Sequence, residues 1–92
     1  MAVMDDLTME AGNVLSEAWK AHEKYGDFTS THEAYGVLAE EVAELLESIR
    51  QNLVVPIAQE ARQVSAVALR LAAICERCKA GEVEAFWERS GF

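Results

Sequence analysis

Two short polar segments carry the residues of this chain that are best suited to chemistry. Glu41 and Glu44 stand three positions apart, and Glu60 and Gln63 repeat that spacing further along the chain. Residues three apart are neighbours on one surface of an α-helix. Two such helices side by side would offer three carboxylates and one amide to a common point, and Mg²⁺ prefers oxygen ligands of this kind. The spacing therefore predicts a divalent-metal site in a helical bundle.

Three long helices are predicted to hold these segments, within a single all-α domain that spans residues 1–92. Apolar residues recur at spacings of three and four along about residues 5–25, 32–50 and 56–79, which is typical of amphipathic helices. A short fourth helix is predicted over about residues 82–89. No repeat or flexible linker is apparent, so the sequence predicts one helical bundle.

Residues suited to helix ends stand at the predicted boundaries. Gly26 and Gly81 follow the first and third helices, where glycine readily adopts the left-handed conformation. Ser30 and Glu33 have the spacing of a capping box at the start of the second helix. Pro56 fits the first turn of the third helix, where its missing N–H is harmless.

The second helix is predicted to place its glutamates at different distances from its packing face. With an advance of about 100° per residue, Glu41 falls on the shoulder of the apolar seam, Glu44 at its rim and Glu40 on the outside. Gly36, inside this helix, indicates close packing or close approach of a ligand. The predicted seam consists of Tyr35, Leu38, Val42, Leu45 and Ile49.

Glu60 is the most unusual residue of the third helix, because it lies on an apolar stripe with Val64 and Leu71. Burying an unpaired carboxylate costs several kcal/mol, so Glu60 needs a metal, a cationic side chain or a proton. Arg62 and Arg70 are the alternative partners. A structural ion pair would explain Glu60 without any metal.

Composition excludes several classes of function. The net charge is −8, and the eight Lys and Arg residues are scattered along the chain, which argues against a nucleic-acid-binding protein. No apolar run has the length of a transmembrane helix, and the first residues lack the features of a signal peptide, so a cytoplasmic location without membrane contact is expected. A chain of 92 residues supports only a small core, which favours burial of further surface in a homodimer.

Other catalytic and metal-binding patterns are weak or missing. Cys75 and Cys78 form a single CxxC pair without a second pair, and are predicted to be small buried residues. His22 and His32 have no zinc or triad partners at suitable spacing. No glycine-rich phosphate-binding loop is present, which excludes a Walker-type NTPase.

The two segments, taken in order, resemble the MazG-like all-α NTP pyrophosphohydrolases, whose motif is EExxE on one helix and ExxD on the next. The chain reads Glu-Glu-x-x-Glu at 40–44 and Glu-x-x-Gln at 60–63. Residues 32–39 lead into the first motif, and residues 63–70 continue the second, as in small members of that family. The resemblance covers about residues 28 to 75.

The resemblance implies an activity and a ligand set. Family members cleave a nucleoside triphosphate between its α and β phosphates, release a monophosphate and pyrophosphate, and require Mg²⁺. Glu41, Glu44 and Glu60 match the catalytic, metal-binding positions, and Gln63 stands where the family usually has Asp. The family forms dimers, often paired into tetramers, with sites built partly from the partner chain, and some members remove non-standard nucleotides.

Further roles follow as hypotheses from this mechanism. Glu40 would support the metal ligands from behind, and Arg70 or Lys79 would contact the outer phosphates. The aromatic residues that would stack on the nucleobase are Trp19, Phe28 or Tyr35.

Gln63 leaves alternatives open, because its amide oxygen can coordinate Mg²⁺ but carries no charge. A Gln-bearing enzyme would hold fewer or weaker ions. A chain that had lost catalysis would retain nucleotide or metal binding. The third alternative is a helical interaction module whose acidic face meets a basic partner.

Overall fold

The computed structural model describes residues 3–82, which form three α-helices: α1 (Val3–Tyr25), α2 (Thr31–Arg50) and α3 (Val54–Lys79). No strand occurs within this range, and the predicted all-α class is confirmed. The predicted fourth helix falls almost entirely beyond residue 82, outside the described residues. None of the three helices combines the length and apolar character needed to cross a membrane.

The central element is α3, against which α1 and α2 each pack. Residues 51–53 join α2 to α3, and so short a connection makes neighbouring helices antiparallel. Asn52 takes a φ of 55° in this connection, a left-handed conformation that asparagine tolerates better than most residues. The α2–α3 hairpin therefore forms one unit of the bundle, and α1 packs against α3 as well.

The connection between α1 and α2 uses the predicted capping residues. Gly26 has a φ of 73°, and its N–H donates to the carbonyl oxygen of His22 at 2.8 Å. The hydroxyl of Ser30 accepts from the N–H of Glu33 at 3.1 Å. The Glu33 carboxylate accepts in turn from the N–H and hydroxyl of Thr29 at 3.1 and 3.0 Å. The bond between Ser30 and Glu33 satisfies one of the backbone donors that a helix start leaves unpaired.

The ends of α3 differ slightly from the prediction. The helix begins at Val54, so that Pro56 is its third residue, and the first turn has no use for the missing N–H. Gly81 ends the helix with a φ of 78°. The N–H of Glu82 donates to the carbonyl oxygen of Arg77 at 3.0 Å, which closes a Schellman-type turn.

The core is a small cluster around the middle of α3. Its buried members are Phe28, Ala34, Val67 and Ile74, of which Ile74 is only 2% exposed. Cys75 and Cys78 form no disulfide and pack against this cluster as half-buried side chains. A cluster of this size leaves many apolar side chains of the chain at the surface.

The predicted seam of α2 is wrong for three of its five residues. Tyr35, Val42 and Ile49 are 67%, 47% and 51% exposed, whereas Ala34 is fully buried. The small Ala34 side chain allows α2 to approach α3 closely, and this rotates the packing face by one position. Close packing at Gly36 is also wrong, because a Cβ atom there would meet no atom within 4 Å.

Candidate metal centre

The α2–α3 hairpin brings Glu41, Glu44 and Glu60 together, and one carboxylate oxygen of each lies within 4.8 Å of the others. Glu44 and Glu60 each stand eight residues from Asn52 in the connection. In an antiparallel helix pair, residues equidistant from the turn lie at the same height, here about 12 Å from it. The length of the connection therefore brings the carboxylates of Glu44 and Glu60 to the same height.

The same symmetry holds one turn further from the connection, where Glu41 and Gln63 each stand eleven residues from Asn52. Both side chains are half-buried and line one cavity between the helices. Glu44 is exposed, in agreement with its predicted place at the rim. The structure thus places four oxygen-bearing side chains in two adjacent layers.

Glu60 has an oxygen atom without a partner. Its Oε2 is buried and accepts no hydrogen bond from any described residue. The guanidinium of Arg62 donates instead to both oxygens of Glu10, at 2.9 Å each. Arg70 donates to the carbonyl oxygen of Gly26 at 3.1 Å. Neither of the two arginines named as alternative partners donates to the buried oxygen of Glu60, which is therefore open to a cation or to a proton shared with the carboxyl of Glu41.

The proximity of the three carboxylates changes the pKa of Glu41. Burial raises the pKa of its carboxyl above the ordinary value of 4.5, and the negative charges of Glu44 and Glu60 raise the pKa further. Both causes disfavour the ionised form. A divalent cation placed among the three carboxylates would remove the repulsion.

This raised pKa predicts that Glu41 destabilises the metal-free fold at neutral pH. A carboxyl with a raised folded-state pKa stabilises the fold below the unfolded-state value, near 4.5, and that contribution is lost as the pH rises through the folded-state pKa. In EDTA at pH 7, Glu41→Gln is expected to increase the free energy of unfolding by on the order of 1 kcal/mol, the Coulomb energy of one such pair in water. At pH 4 the increase should disappear.

Urea unfolding at both pH values measures the effect. Glu47→Gln is the matched control, since Glu47 is exposed on the same helix and accepts only from Gln51, at 2.8 Å. A loss of stability in Glu41→Gln at pH 7 without metal would contradict the prediction.

Glu17 is a residue of this site that sequence reasoning missed. Its Oε2 accepts a hydrogen bond from Nε2 of Gln63 at 3.2 Å. The two residues are 46 positions apart and lie on α1 and α3, so no local spacing connects them. The only sequence signal for this contact is the position of Glu17 at the polar edge of the apolar stripe of α1.

The cavity that Glu41 and Gln63 line has a volume of about 610 Å³, a size typical of small-molecule sites. Arg70 borders it, as do the aromatic rings of Phe28 and Tyr25. Arg70 lies over the Phe28 ring at 4.3 Å. The cavity thus combines an acidic end with a cationic and aromatic wall.

Other predicted site residues lie outside this cavity. Glu40 is exposed on α2 and is not among the residues that line the cavity. Trp19 borders a second cavity of about 310 Å³, which shares Phe28 and Arg70 with the first. Tyr35 is 67% exposed, and Lys79 pairs with Glu76 at 3.4 Å. Phe28 is therefore the only one of the three proposed stacking residues that borders this cavity.

No protein family, characterised protein or solved structure matches this chain. The chemistry of the site is therefore argued from its own geometry.

Proposed function

We propose that this protein is a Mg²⁺-dependent nucleoside triphosphate pyrophosphohydrolase that converts a (d)NTP to a (d)NMP and pyrophosphate. The observation that carries the proposal is the three-carboxylate cluster, with its unpartnered Glu60 oxygen, beside a cavity bordered by Arg70. The resemblance of the two motifs to those of the MazG-like enzymes supports the same conclusion.

The residues present fit a hard divalent cation. Glu41, Glu44 and Glu60 supply carboxylate oxygens, and the buried Oε2 of Glu60 lacks any other partner among the described residues. Gln63 would add a neutral amide oxygen. Mg²⁺ bound there would neutralise charge on the phosphates and lower the pKa of a bound water.

Hydrolysis also requires a general base, and a side chain that lines the cavity can serve as one. Glu41 is the proposed general base, because it is the carboxylate of the cluster that lines the cavity, and a carboxylate oxygen that is not bound to the ion can accept a proton from water. The attacking water would lose its proton to Glu41 and bond to the α phosphorus, and the bond from that phosphorus to the bridging oxygen would break. Pyrophosphate would leave with the bonding electron pair.

Arg70 and the aromatic wall would hold the substrate. The Arg70 guanidinium uses one N–H on the Gly26 carbonyl, which leaves further donors for phosphate oxygens. Tyr25, which is 68% exposed and borders the cavity, offers an apolar face to a planar base, whereas Phe28 is buried in the core beneath Arg70. This assignment places the phosphates between the carboxylate cluster and Arg70.

Product analysis with a panel of canonical and modified (d)NTPs, with Mg²⁺ or with EDTA, tests the proposal. Monophosphate and pyrophosphate that form with Mg²⁺ and disappear in EDTA are the expected result. Absence of product from every nucleotide would contradict the enzymatic function.

A nucleotide-binding or metal-binding protein without turnover is the second candidate, and Gln63 favours it. The amide is neutral where the resembled family usually has a carboxylate, so the site holds one charge fewer for a cation. This candidate predicts Mg²⁺-dependent nucleotide binding without product. Calorimetric titration of the nucleotides in Mg²⁺, alongside product analysis, separates the two candidates.

Self-association is the proposed quaternary state, as a homodimer or a dimer of dimers. Within the described residues, six hydrophobic side chains are buried, whereas thirteen large ones are exposed. Burial of part of these side chains between copies of the chain would enlarge the small core. Sedimentation velocity over a concentration series tests the proposal, and a single monomeric species at all concentrations would contradict it.

A further inference from the structure

We propose that Glu17 is a positioning residue that orients the amide of Gln63, so that its oxygen faces the carboxylate cluster and its nitrogen faces away. This inference rests on the proposed metal centre and assigns a role to a residue on α1, outside both motifs. The neutral residue at position 63 then acts as a directed metal ligand.

The chemistry of the hydrogen bond sets the orientation. An ionised carboxylate only accepts hydrogen bonds, so the group that Gln63 presents to Glu17 must be its NH₂. The bond joins Nε2 of Gln63 to Oε2 of Glu17 at 3.2 Å. Because the oxygen lies on the other branch of the planar amide, it is left for the cavity that Gln63 shares with Glu41.

Both carboxylate oxygens of Glu17 face a nitrogen donor: Oε2 faces the Gln63 amide, and Oε1 faces the Lys20 ammonium group. Its second oxygen, Oε1, lies 3.5 Å from the ammonium nitrogen of Lys20 on the same helix. Each oxygen of Glu17 therefore has its own partner.

Without Glu17, the Gln63 amide would compete with a cation. Glu41, Glu44 and Glu60 are acceptors when ionised, so a released NH₂ group would donate to the nearest of them. A carboxylate oxygen engaged in this way is less available to Mg²⁺. Glu17 supplies an alternative acceptor on the far side and keeps the amide donor out of the cluster.

The same contact explains why a carboxylate is unsuited to position 63 here. A negative group in place of the amide would face Glu17 with no donor between them. Like charges in contact destabilise each other, so Gln63 and Glu17 act as a matched pair. Gln63→Glu alone is therefore expected to gain little affinity for metal, although it adds a charge.

Mn²⁺ titrations, followed by the electron paramagnetic resonance of the free ion, test the inference. Glu17→Gln is expected to weaken Mn²⁺ binding about tenfold, the lower range for residues that orient metal ligands. The double variant Glu17→Gln/Gln63→Glu exchanges donor and acceptor, and should restore at least the wild-type affinity. Glu23→Gln is the control, since it removes the same charge from an exposed position of α1.

Two outcomes would overturn the role of Glu17: equal affinities in Glu17→Gln and Glu23→Gln, or a double variant that binds no better than Glu17→Gln. Loss of affinity with an unchanged unfolding midpoint in EDTA would distinguish positioning from structural support. If the wild-type protein binds no Mn²⁺, the proposed metal centre fails. If the wild-type protein binds Mn²⁺, and Glu17→Gln binds Mn²⁺ as tightly as the control Glu23→Gln does, the metal centre stands and this inference fails.

Carbon-detected NMR of the wild-type protein gives a test that needs no variant. Titration with Mg²⁺ is expected to shift the side-chain carbonyl carbon of Gln63 together with the carboxyl carbons of Glu41 and Glu60. A shift of the carboxyl carbons alone would show that the amide oxygen takes no part, and would overturn the inference.

Discussion

Glu60→Gln is expected to reduce Mg²⁺-dependent hydrolysis of the preferred nucleoside triphosphate by about 100-fold or more. A bound metal supplies several kcal/mol of charge stabilisation in the transition state, and each 1.4 kcal/mol corresponds to a factor of ten in rate. Among the three glutamates, Glu60 is expected to contribute most to binding the ion, because its buried oxygen has no other partner among residues 3–82. The substitution preserves size and removes the charge. Steady-state release of pyrophosphate measures the effect.

Glu47→Gln is the control for this prediction. Glu47 lies on α2 like two of the cluster residues, but it is exposed and hydrogen-bonded to Gln51. Its rate should remain within about twofold of the wild-type rate, because screened surface charges contribute little. Equal rates for Glu60→Gln and the wild type would remove Glu60 from the metal centre.

Ile74→Ala is expected to have the largest effect on stability. Ile74 is 2% exposed and lies in the cluster with Phe28, Ala34 and Val67. Truncation of a buried isoleucine costs about 2–5 kcal/mol, whereas small domains have a total stability of about 5–15 kcal/mol. The melting temperature should fall by roughly 10 °C or more, since 1 kcal/mol corresponds to about 4–8 °C in a domain of this size.

The matched control is Ile49→Ala, the same truncation at a side chain that is 51% exposed. Urea unfolding of both variants at low protein concentration gives the comparison. A loss in Ile74→Ala no greater than in Ile49→Ala would contradict the core assignment. A loss in Ile49→Ala that grows with protein concentration would locate Ile49 in the proposed self-association interface.

The stability and activity predictions concern neighbouring parts of α3. Glu60 and Gln63 occupy its first half, whereas Val67 and Ile74 in its second half anchor the core. The helix that contributes Glu60 to the carboxylate cluster therefore also holds the bundle together. Ile74→Ala should for this reason also reduce activity on heating, whereas Glu60→Gln removes part of the repulsion on Glu41 and should not lower the unfolding midpoint in EDTA.

The sequence by itself determined the helices and the level at which the acidic residues meet. Spacings of three and four, together with the capping residues, predicted three helices whose bounds differ from the observed ones by at most two residues. The positions of Glu44 and Glu60, equally far from Asn52, follow from connection length and helical rise alone. These properties are local, or depend on one short hairpin, and so remain readable in the chain.

Only the tertiary structure decided how far each helix is rotated about its axis and which distant residues meet. Apolar residues flank both sides of the α2 stripe, so periodicity could not distinguish Tyr35 from Ala34 as the packing residue, and the close approach of α2 to α3 selected Ala34. The contact between Glu17 and Gln63 spans 46 positions and depends on how α1 lies on α3. Helix propensity and spacing carry no information about that docking, since it is set by the packing of all three helices together.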